Sequence, residues 1–176
     1  FVDGEAASPG IEANAEDGAA APLAEAIAGV EAISPSEVFN TPHGAMEPGP
    51  AFPGQYYSFT FTATEGEVLS FASMFVQSND LFFAPDPAGI ALFDDMGSPI
   101  HGDITDLVLL WDAGTEVNEE PGVGENQAPR QSGPNTGDDE MGVVTADIMD
   151  GFAYPAVQDI IRVTITTGAM MMDDMG

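Results

Sequence analysis

Apolar and polar positions alternate most regularly between Tyr56 and Ala63, where Tyr57, Phe59, Phe61 and Ala63 are separated by Ser58, Thr60 and Thr62. Successive side chains of a strand point to opposite faces, so this stretch predicts a strand with one buried and one solvated face. Glu65-Gly66-Glu67 supplies a turn, and Val68 to Val76 is apolar and aromatic enough to predict a second strand buried on both faces, completing a hairpin. Leu81–Phe83 continues apolar after Asp80, and shorter strands are expected at Ile90–Phe93 and Asp106–Trp111, with a weaker one at Val143–Ile148. The last, Asp159 to Thr167, sets Ile161, Val163 and Ile165 against Arg162, Thr164 and Thr166.

Helical spacing is confined to Pro22–Gly29, where Leu23, Ile27 and Val30 recur at i, i+4 and i+7 behind an N-terminal proline. Phe1 to Ala21, punctuated by Pro9 and Gly10, reads as irregular, and the five prolines between Ser34 and Pro53 as a long loop. Ala113 to Asn135 is a second long polar loop, of a length that in a compact domain is usually functional or mobile. The fold class that follows is all-β with one short helix, as an antiparallel β-sandwich with long loops. One domain spans residues 1–167: a lead-in over 1–55 carrying the helix at 22–29, then a core over 56–167. Residues 168–176 form a Met- and Asp-rich tail, read as a frayed end or as a segment held by a neighbouring subunit.

Charge narrows the partners. Two basic residues, Arg130 and Arg162, face 30 acidic ones among 176, for a formal net charge of -28. No basic patch can be built, which argues against binding to a nucleic-acid backbone or an anionic membrane surface. Cations are the natural partners, and a salt-rich habitat would screen the self-repulsion. Cysteine is absent, excluding disulfides and thiolate chemistry. No apolar run approaches the ~18 residues that suggest a membrane-spanning helix, and no signal peptide is recognisable. The start at Phe1 rather than Met suggests a processed product or a fragment.

The chemistry gathers between Gly66 and Glu116. VLSFASMFVQSND closes on Asp80, and DLVLLWDAGTE closes on Asp112 and Glu116. Apolar strands that stop at one rim can bring their carboxylates together, and calcium needs six to eight oxygen ligands, whereas magnesium prefers a strict octahedron and keeps more water. Asp80, Asp112 and Glu116 are therefore the candidate ligands, set against the ordinary role of most acids as solvated surface groups. His43 and His101 follow no ligand spacing and read as loop residues, and Trp111 reads as core behind the rim. There is no G-x-S-x-G elbow and no nucleotide-binding glycine loop around Gly122 and Gly124.

SFASMFVQSNDLF followed by DLVLLWDAGTE resembles the spondin domain, the N-terminal-type domain of F-spondin that also occurs in secreted bacterial proteins. The likeness runs from about Phe1 to Thr167. It implies a C2-like sandwich with a bound calcium ion, and its ligand pattern falls on Asp80, Asp112 and Glu116; the last position is often Asp in animal members. The family usually begins with a strand upstream of Phe1, and the cysteines and thrombospondin repeats of the animal proteins are lacking, so their matrix and neuronal roles do not carry over. A sandwich short of its first strand has an open edge that another copy could fill, with the Phe1 end or the Met-rich tail as donor, giving a filament. The expected function is thus a secreted, non-catalytic, calcium-binding protein of prokaryotic type, serving extracellular adhesion or assembly. The alternative is a calcium-dependent polysaccharide hydrolase, which would need two facing carboxylates roughly 5–9 Å apart.

Overall fold

The computed structural model describes residues 1–33 and 35–168. The Met-rich tail expected to fray or to dock on a neighbour lies outside the described residues, apart from Gly168. The chain is rich in short antiparallel strands, β1 (Val68–Leu69), β2 (Ser73–Met74), β3 (Leu81–Pro85), β4 (Ile90–Ala91), β5 (Gly102–Asp103), β6 (Val108–Asp112) and β7 (Thr164–Ile165). They form three small sheets: β1 with β4, β2-β3-β6, and β5 with β7.

The central sheet positions everything else. Each residue of β3 is buried, and the strand pairs with β6 from Leu81 opposite Asp112 to Pro85 opposite Val108. Phe82, Ala84, Trp111, Ala113 and Val144 pack on one side with Ile11 and Ala15, while Leu81, Phe83, Phe75 and Val108 pack on the other. Trp111 is 2% exposed and donates its indole N–H to the Ala84 carbonyl at 3.2 Å, so the ring is core as its composition implied.

Past Asp112 the chain continues as a ladder. Asp112 exchanges both backbone hydrogen bonds with Thr145, Gly142 N donates to Gly114 O at 2.8 Å, and Glu140 N donates to Thr115 O at 3.1 Å. Val117 N donates to Asp138 O at 2.7 Å, which closes the pairing. The expected open loop at 113–135 is therefore the tip and outgoing arm of a long hairpin. Its returning arm, with Val144, then accepts the amino-terminal segment: Val144 N donates to Glu5 O at 2.9 Å and Gly4 N to Val144 O at 2.8 Å. Phe1 lies edge-on against Phe82 and Trp111, with ring centroids 5.2 and 5.0 Å away.

Several sequence expectations are corrected. Phe1–Ala21 is not irregular, because it contains the helix α1 (Pro9–Asp17), capped by Ser8 through Ile11 N and stopped by Gly18 in the left-handed region. Gly10 belongs inside this helix because a Cβ there would come within 2.7 Å of the Leu23 backbone, so its bareness lets α1 lie against α2 (Ala20–Ile27). The second helix starts two residues before the expected Pro22 and buries none of its residues fully. Tyr56–Ala63 is not a strand: among the described residues no backbone group from Tyr57 to Ala63 is hydrogen-bonded, and Phe39 packs on Tyr57 and Phe59 instead. Val68–Val76 is not one strand either, since β1 and β2 fall in different sheets and no 56–76 hairpin forms. Residues 143–148 form no strand, contributing the Asp112–Thr145 bridge and the Val144 bonds to Gly4 and Glu5, and 159–167 splits into α3 (Val157–Ile160) and β7.

Gly114 makes the hairpin possible. Its φ is 68°, and a Cβ would sit 2.6 Å from Val143 N. Gly114→Ala is expected to destabilise the protein by about 2 kcal/mol or more, from left-handed strain plus the clash. Urea unfolding monitored by Trp111 fluorescence measures it.

Candidate metal centre

Antiparallel pairing places the start of β3 beside the end of β6. Asp80 immediately precedes β3 and Asp112 ends β6, so both carboxylates reach one rim. The apolar run expected to deliver Asp80 lies before it, whereas the strand that pairs with β6 is the stretch after it.

Asp80 is fully buried. Its Oδ2 accepts three hydrogen bonds, from Thr115 N at 2.7 Å, Glu116 N at 3.0 Å and Thr115 Oγ1 at 3.1 Å. Its Oδ1 is buried without any hydrogen-bond partner. Burial, and then the charge of Asp112, push its carboxyl up to about 7, against the hydrogen bonds from Glu116 and Thr115. Asp112 is held at both oxygens, Oδ1 by Gly114 N at 2.7 Å and Oδ2 by Asn118 Nδ2 at 2.6 Å. Burial raises its carboxyl as well, and Asp150 adds to the rise.

The third member comes from the returning arm of the hairpin. One oxygen each of Asp80, Asp112 and Glu140 lies within 4.8 Å of the others, with Glu140 exposed and the aspartates buried. Partial burial, Asp112 and Asp150 all raise the Glu140 carboxyl. Two oxygens sharing one calcium ion stand at most about 5 Å apart, given bonds of roughly 2.3–2.6 Å, so this spacing suits a cation.

Glu116 stands outside this trio. It is 2% exposed, and its carboxylate accepts from Gly137 N at 2.9 Å and Asn79 Nδ2 at 3.3 Å, which turn it under the hairpin. What it gives Asp80 is its backbone N–H. Glu140 was missed because it lies far along the chain from Asp112 in an acid-rich stretch, and only the hairpin's register brings it back.

No basic group offsets the buried charge. Arg162 pairs with Asp103 at 3.3 Å on the surface, and Arg130 donates to Gly124 O and Gln127 Oε1. His43, stacked on Tyr56, and His101 are both exposed and in loops, as expected from the sequence. No family model, curated protein or solved structure matches the chain.

Glu16, at the end of α1, is a further buried acid, 2% exposed. Burial raises its carboxyl from 4.5 to about 7; Glu116, Glu12 and Asp17 add to the rise, and Thr115 opposes it. The folded protein therefore holds this proton up to about pH 7, whereas the unfolded chain releases it near 4.5. The stability associated with the protonated group is complete below the lower value and is lost as the pH climbs through the upper one. Glu16→Gln is expected to raise the melting temperature by roughly 3 °C or more at pH 8 and to change it little at pH 4. Thermal melts at the two pH values read the difference.

Proposed function

We propose that the chain is a non-catalytic, calcium-binding β-sandwich of the spondin type that works outside the cell in adhesion or assembly. The observation that carries the calcium reading is the unpartnered Asp80 Oδ1, a fully buried acceptor on a carboxylate grouped with two others, in a protein whose two arginines lie elsewhere. A buried acceptor with no donor costs stability on the order of 1–3 kcal/mol, and more when charged, unless a cation meets it. Calcium suits a set made only of hard oxygens, mixed between side chains and nearby loop groups, better than magnesium with its tight octahedron. The spondin reading rests on the SND and WDAGTE segments, which here supply Asp80 and Asp112 to the trio. Asp80, Asp112 and Glu140 are the proposed ligands, and Glu116 is proposed to position Asp80 through its amide.

Assembly into a filament by strand donation fits the unbonded backbone of residues 57–63. The Phe1 end is a poor donor for it, being packed against Phe82 and Trp111 of its own chain. Light scattering of the purified protein with and without calcium tests this part, and a monomer under both conditions would remove it.

Calcium at a hundredfold excess over its dissociation constant is expected to stabilise the fold by about 2.7 kcal/mol, or roughly 5–10 °C in melting temperature. Chelation should reverse the gain. Asp80→Asn should abolish the calcium response while leaving the metal-free protein at least as stable, since a buried charge is gone. A melt of the wild-type protein that is indifferent to both calcium and EDTA would defeat the reading.

A further inference from the structure

A second orphaned oxygen lies beside the trio. Asn118 uses its Nδ2 to donate to Asp112 Oδ2 at 2.6 Å, and its own Oδ1 is buried with no hydrogen-bond partner. An amide oxygen that accepts nothing in a buried place has lost its water and gained no donor. The rigid amide keeps that oxygen within roughly 5 Å of Asp112 Oδ2, the greatest separation at which two oxygens can share a calcium ion. Asp80 Oδ1 and Asn118 Oδ1 are thus two buried acceptors, both without donors, on side chains that each neighbour the Asp112 carboxylate.

We propose that Asn118 is a fourth protein ligand of the centre, giving a neutral oxygen to the ion through Oδ1 while its Nδ2 holds Asp112 in place. This inference rests on the calcium reading above. It also gives the hairpin a definite part: the ion would tie Asn118 on the outgoing arm and Glu140 on the returning arm to Asp80 at the start of β3. A neutral ligand adds to the coordination number without adding charge repulsion among carboxylates already crowded together, which favours a large ion over a small octahedral one.

Terbium, a luminescent stand-in for calcium, tests the proposal, because its decay rates in H2O and D2O count the water molecules on the ion. Calcium competition isolates the specific signal. Asn118→Ala is expected to add one bound water and to weaken calcium binding by about tenfold or more. Asn118→Asp, which keeps an oxygen at the same place, should leave the count unchanged, and if the alanine variant folds poorly Asn118→Leu, which has no side-chain oxygen, reads the same added water. An unchanged count in Asn118→Ala, with weaker binding or without it, would show that the residue only steadies Asp112 and would overturn the inference alone. Failure of the wild-type protein to bind terbium competitively with calcium, or retention of that binding in Asp80→Asn, would overturn the calcium reading and this inference with it.

Discussion

The carboxylate of Asp80 is the constraint around which the rim is built. It is buried completely, and three donors from Thr115 and Glu116 converge on one of its oxygens. Those donors fix the group while its second oxygen is left without a partner, in a carboxylate grouped with Asp112 and Glu140. Placing two buried carboxylates side by side, with a third at the edge, is electrostatically uphill. The surrounding backbone can bear it because the strand pairing of β3 with β6 and the hairpin beyond it are continuous with the most buried part of the protein.

That arrangement follows from connectivity as much as from charge. Leu81 pairs with Asp112, so the residue before β3 and the last residue of β6 must share a rim. The left-handed turn at Gly114 then lets the chain fold back so closely that Thr115 and Glu116 can offer their amides to Asp80, while the returning arm delivers Glu140. One local backbone conformation thereby brings together four groups that are scattered along the sequence.

The parts of this that were legible in the sequence are those with short-range causes. Asp80 and Asp112 were readable because each adjoins an apolar run, and Trp111 because a lone tryptophan inside such a run is nearly always core. Glu140 and Asn118 were not, since their place depends on the register of a hairpin whose arms carry no alternating pattern. Glu116 was assigned to the ion by proximity in sequence, but Asn79 and Gly137 compete for its carboxylate. Helix α1 was hidden by Gly10, ordinarily a mark against a helix and here required by the contact with Leu23. The alternation at Tyr57–Ala63 reported an amphipathic surface correctly, but a ladder also needs a partner, and periodicity within one segment says nothing of that.

The pairing of Gly4 and Glu5 with Val144 bears on how the chain reaches its native state. Gly4 and Glu5 cannot find Val144 until the whole stretch between them has been made. Contacts so distant along the chain close slowly, because the entropy of a very large loop is lost before any of them is rewarded. Until then the segment around Gly4 and Glu5 lacks its partner, and the dense negative charge is well suited to holding such intermediates apart in solution.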